Sequence, residues 1–166
     1  MTPPTLSEPA NLRQAWAEYI IRLPEIAGAP FEYWGHLTYK NAEEIPAHHA
    51  EDIVARRFRY FTGEINKRLY GKRWIRKGAG VWGAIATEKH ISGYPHHHFI
   101  MGGEGLRAGL RRLEIKDMWG NLFGFARVWD YQGEAAARYI TKYVTKGGQV
   151  DVFAGPALRD RLKLKP

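Results

Sequence analysis

The chain contains no cysteine, which removes disulfides, thiolate metal sites and cysteine nucleophiles together. No apolar run approaches the ~18 residues of a membrane-spanning helix. No basic-then-apolar leader of the secretory kind is visible either. A cytoplasmic setting without a membrane partner is the expectation. Internal repeats, low-complexity stretches and a phosphate-loop glycine motif are also missing, so nothing here reads as a helicase motor. Acidic residues are outnumbered, 17 against 25 basic ones, leaving a net charge of +8.

What remains is 166 residues, 45% of them hydrophobic, enough for one domain with a real core. The excess positive charge favours a polyanionic partner, because phosphate neutralisation supplies most non-specific nucleic-acid affinity. Six Trp and nine Tyr could stack on unpaired bases, although most aromatic side chains belong to cores.

Periodicity divides the chain into alternating elements. Asn11–Leu23 reads as a short helix closed by Pro24, and Phe31–Lys40 as a strand rich in aromatic and β-branched residues. Val54, Phe58, Phe61, Ile65 and Leu69 step by three or four, which predicts a helix over Pro46–Tyr70 ended by Gly71. Gly80–Glu88 and His96–Met101 read as strands joined by the turn-prone Ile91–Pro95. Leu106–Ile115 predicts a weaker helix, Leu122–Trp129 a strand, and Glu134–Lys146 a helix stopped by Gly147 and Gly148. The order implies an α+β fold, a mostly antiparallel central sheet flanked by helices. The last 18 residues carry no clear signal.

Two segments carry chemistry. Side chains alternate across a strand, so His96 and His98 share one face while His97, Phe99 and Met101 share the other. Two imidazoles so spaced can share a divalent cation such as Mg²⁺ or Mn²⁺ if an oxygen ligand joins them. Glu88, at the end of the preceding strand, is the candidate, and Ala84 and Ala86 on its face could leave room for a ligand. A simple surface histidine cluster is the alternative. His36, His48, His49 and His90 are expected to face solvent or to pack. The second segment is the helix ending in Tyr139-Ile-Thr-Lys142-Tyr143-Val-Thr-Lys146. At about 100° per residue, Tyr139, Lys142, Tyr143 and Lys146 fall on one face and Ala136, Ala137, Ile140 and Val144 on the adjoining one. A tyrosine can attack a phosphodiester, given a metal on the phosphate and lysines to favour phenolate. An ordinary helix with packed aromatics and solvated lysines is the alternative there.

With both segments in hand, the chain resembles the HUH endonuclease superfamily, and within it the two-tyrosine rolling-circle replication initiators of plasmids and phages. His36-Leu37-Thr38-Tyr39 is similar to the first family motif, a hydrophobic-Thr-aromatic strand. Glu88 through His98 is similar to the second, a Glu before a glycine turn and a His-hydrophobic-His pair. Tyr139–Lys146 is similar to the third, with Tyr and Lys repeated at a four-residue step. One departure is His97, where the family prefers a hydrophobic residue. It should point to the helix-covered side, so His97→Leu is expected to be tolerated and to gain stability. The resemblance bounds an endonuclease domain at 31–148, with 1–30 an N-terminal extension and 149–166 a C-terminal tail.

The resemblance implies that His96, His98 and Glu88 ligate the metal. It makes Tyr139 and Tyr143 nucleophiles, with Lys142 and Lys146 on phosphates. Arg107, Arg111 and Arg112 are further DNA-contact candidates, and binding should weaken steeply with salt. The implied reaction is nicking and rejoining of single-stranded DNA at a replication origin through a 5′-phosphotyrosine. A host or partner helicase would supply unwinding. A relaxase or rolling-circle transposase of the same superfamily is the near alternative. A non-catalytic, RRM-like single-strand-binding module is the distant one.

Overall fold

The sequence FEYWGHLTY alternates along its length, and in the structure Phe31–Tyr39 (β1) is alternately buried and half-buried without a break. The computed structural model describes residues 9–41, 45, 50–89, 95–142 and 148–164. β1 lies inside a sheet with Trp82–Lys89 (β2), Pro95–Gly102 (β3), Gly124–Asp130 (β4) and Gln149–Phe153 (β5). The order is β4-β1-β3-β2-β5, and each adjacent pair is antiparallel. The fold is therefore α+β. No helix among the described residues is long and apolar enough to cross a membrane.

The strands' two residue sets face two cores. On one side Tyr33, Leu37, Tyr39, Phe99, Met101 and Val128 meet Ala50–Tyr70 (α2), Leu106–Gly109 (α3) and Arg112–Leu122 (α4). The apolar stripe of α2 supplies Val54, Phe58, Phe61 and Ile65, as its spacing predicts. Each such fully buried side chain contributes about 1.5–3 kcal/mol. On the other side Trp82, Ala84, Ala86 and Ile100 meet Pro9–Ala27 (α1), Glu134–Thr141 (α5) and Pro156–Leu162 (α6).

Three local readings change. Pro24 lies inside α1 instead of closing it, and the helix ends at Gly28, whose φ of +73° suits a left-handed cap. The single helix expected over Leu106–Ile115 is two, because Leu110 is extended between them. The second restarts where the Arg111 amide donates to Glu114 Oε2 at 3.0 Å. The stretch read as a C-terminal tail instead gives the edge strand β5, paired with β2, and α6, whose Leu158 and Leu162 are buried. The N-terminal extension likewise packs Trp16, Tyr19, Ile20 and Leu23 into the second core.

Candidate active site

Register brings the histidines together. His36 of β1 lies opposite His98 of β3, and His98 lies opposite Ala86 of β2. One row further along, Thr38, His96 and Glu88 lie side by side. Directly opposed residues share a face, so His36, His96, His98 and Glu88 all project toward the α1–α5 side. Ring centroids are 4.4 Å apart for His36–His98, 4.6 Å for His96–His98 and 5.6 Å for His36–His96. One nitrogen from each of the three imidazoles lies within 4.8 Å of the other two. His36 was expected to be solvent-facing or packing. It is instead the third member of this cluster.

Burial and neighbouring positive charge keep two of the rings uncharged. Burial first, then Arg127 and Lys142, lowers the His36 pKa. Burial, then the neighbouring His36, His96, Lys142 and His97, lowers that of His98 to about 2. Both rings are therefore neutral near pH 7, the state in which imidazole ligates metal. His36 Nε2 is buried and makes no hydrogen bond to a described residue. These three residues could hold a metal ion. Glu88, expected as a metal ligand, accepts at Oε1 from His98 Nε2 at 2.9 Å. With His98 neutral, that contact is a hydrogen bond between a ring N–H and a carboxylate, and it leaves the lone pair on Nδ1. Carboxylate–imidazole pairs of this kind orient metal-binding histidines.

His97 faces the opposite core, as parity requires, but it is no passive filler. Its ring is 1% exposed, with Nε2 2.7 Å from the Tyr39 hydroxyl and Nδ1 2.9 Å from Thr87 Oγ1. Phe58 and Trp119 pack around it. Burial, followed by His96, lowers its pKa to about 3, so the ring is neutral and can donate from one nitrogen and accept at the other. The expected gain from His97→Leu is thus replaced by a loss. Leucine would take a hydrogen-bond partner from the half-buried Thr87 hydroxyl and from the buried Tyr39 hydroxyl, which would keep only its 3.4 Å bond to the Val54 carbonyl, at a cost of about 1–3 kcal/mol. Urea unfolding of the variant should show the lower midpoint with an unchanged slope; unaltered stability would mean this triad contributes nothing.

α5 brings the tyrosine. Gly133, at φ 81° and ψ −167°, adopts a conformation open only to glycine and turns the chain from β4 into the helix. Ala136, Ala137 and Ile140 then pack with Ala84 and Ala86 in one cluster. The small residues on the strand make room for the helix, where room for a ligand was expected. This seats the Tyr139 ring parallel to His36 at 6.0 Å and edge-on to His98 at 5.5 Å. Lys142, the residue closing α5, places Nζ 3.4 Å from the centre of the Tyr139 ring. Tyr143 and Lys146 lie outside the described residues, as do His48, His49 and His90.

The arginines expected to contact DNA make contacts within the protein as well. Arg107 pairs with Asp130 at 3.5 Å and donates to the Glu32 carbonyl. Arg111 pairs with Glu114, and Arg112 donates to the Val128 carbonyl. These belong to α3 and α4, across the sheet from the histidines. The arginine that does share the histidine face is Arg127 of β4, opposite His36. Trp34 and Trp129 stack beside it, with centroids 4.8 Å apart. Period-two alternation in Phe31–Lys40 already groups Trp34, His36 and Thr38; the missing signal was which strand lies alongside.

Compared with protein-family models, with curated proteins and with solved structures, the chain matches none.

Proposed function

We propose that the chain is an HUH-type endonuclease that nicks and rejoins single-stranded DNA through a covalent tyrosine link. One observation carries this reading: three clustered imidazoles and the Tyr139 phenol converge on one face of the sheet. Tyrosine is a weak nucleophile at its ordinary pKa of about 10, so a phenol beside a metal-binding cluster is the chemistry that makes it useful.

His36, His96 and His98 would hold a divalent cation, with Glu88 fixing the His98 ring. Mg²⁺ or Mn²⁺ bound there supplies Lewis acidity toward a phosphate oxygen. The Tyr139 oxygen attacks phosphorus, the P–O3′ bond breaks, and the proton given up by the phenol is matched by one taken up at the 3′ oxygen. Lys142 offsets charge on the phosphate. The product pair is a 5′-phosphotyrosine and a free 3′-OH, which can prime synthesis. The reverse attack by a 3′-OH restores the strand, with no nucleotide cofactor consumed. Tyr143 and Lys146, four residues further along the sequence, would repeat this chemistry, which favours a replication initiator acting with a separate helicase. The net charge of +8 suits the polyanionic substrate.

The test uses the full chain with labelled single-stranded oligonucleotides of mixed sequence and Mn²⁺. A label shift that survives denaturation is expected, absent with EDTA or with blunt duplex. Binding without any adduct would leave a non-catalytic single-strand binder.

A further inference from the structure

On the histidine face α1 and α5 lie over β2 and β3, whereas the β4 edge carries Phe125, Arg127 and Trp129. These three lie opposite Thr38, His36 and Trp34, so they share the face of the histidine cluster. Phe125 is 73% exposed, the most exposed of the large hydrophobic residues among those described. Arg127 is exposed too and, unlike Arg107 and Arg111, forms no ion pair with a described residue. Trp129 is half-buried, stacked on Trp34, with its ring 5.2 Å from that of His36.

We infer that this edge is a nucleotide track, on which unpaired DNA flanking the reacting phosphate lays a base on Phe125 and a phosphate on Arg127. Outward-facing positions on a strand recur about every 6.6–6.8 Å, a step that an extended, unstacked nucleotide chain can follow. The positive charge at the middle position suits the phosphate, and the apolar ring beside it suits the base. The track runs past His36, so a strand on it is led to the metal cluster. Base–aromatic stacking is tolerant of sequence, whereas pairing hides the base face, so the track selects single strands. This deepens the endonuclease reading by assigning the residues that grip the substrate, and it rests on that reading only for the identity of the polyanion.

The experiment measures binding in EDTA by anisotropy of a labelled oligo-dT, with an otherwise identical abasic oligonucleotide as the second probe. Phe125→Ala is expected to weaken oligo-dT binding about tenfold and to leave abasic binding unchanged. Arg127→Gln should weaken both probes and reduce the salt slope by about 0.7, the loss of one phosphate contact on a single strand. Leu113→Ala, an exposed apolar residue on α4, should change neither probe. Phe125 is solvent-exposed, so folding should survive, and a melting curve on each variant verifies it. Oligo-dT binding by Phe125→Ala within twofold of the parent, or equal losses on both probes, would overturn the track. Adduct formation is scored separately. The expected binding pattern without any adduct keeps the track and removes the nuclease, and adduct without the pattern does the reverse.

Discussion

His36→Ala is expected to reduce DNA nicking by about 10²–10³-fold while single-strand binding in EDTA stays within a few-fold of the parent. The reason is geometric. His36 contributes one of the three converging nitrogens, and its Nε2 is buried without a hydrogen-bonding neighbour among the described residues. Removing the ring leaves two imidazoles, and the affinity for Mn²⁺ should fall with the rate. His98→Ala should be at least as damaging, since it also takes away the donor to Glu88. Calorimetric titration with Mn²⁺ separates the causes: lost metal affinity in step with lost nicking supports the three-histidine site. A His36→Ala protein that binds Mn²⁺ and nicks normally would reduce the site to His96, His98 and Glu88.

The second large effect concerns the tyrosines. Tyr139→Phe removes one hydroxyl from a ring that touches both His36 and His98. Tyr143 follows four residues later in the sequence, and in the proposed mechanism either phenol can serve a single nick. Each single phenylalanine variant should then retain some adduct on a short oligonucleotide. The double variant should retain none, because no candidate phenol is left to form the link. Lys142→Ala tests the charge beside the ring and should slow adduct formation by about 10²-fold without abolishing it. Parent-like rates in Tyr139→Phe would assign the chemistry to Tyr143 alone.

The elements legible in the sequence are those whose pattern is local. The α2 stripe and the β1 alternation each follow from residues a few positions apart, and so does the placing of His96 and His98 on one face. His36 escaped because its role depends on β1 pairing with β3, roughly sixty residues later in the chain, and no local pattern encodes that neighbour. Arg127 and the Trp34–Trp129 stack escaped for the same reason. The charge run Arg107–Arg112 is local in sequence, but its partners Glu32 and Asp130 and its place across the sheet from the histidines are set by the fold. β5 is five residues long and includes Asp151 and Gln149, too short and polar to stand out, and it becomes a strand because β2 offers an open edge. His97 was placed on its proper face, but the hydroxyls waiting for it come from Tyr39 and Thr87, on two other strands.

Peptide mapping of the DNA adduct tests the central claim most directly. The full chain is reacted with single-stranded oligonucleotide and Mn²⁺, digested, and the nucleotide-bearing peptide sequenced by mass spectrometry in the parent and in Tyr139→Phe. The expected result is a phosphotyrosine link at Tyr139 or Tyr143 in the parent and at Tyr143 alone in the variant. A nucleotide attached to any other residue, or no covalent product under conditions where DNA is bound and Mn²⁺ is present, would contradict it.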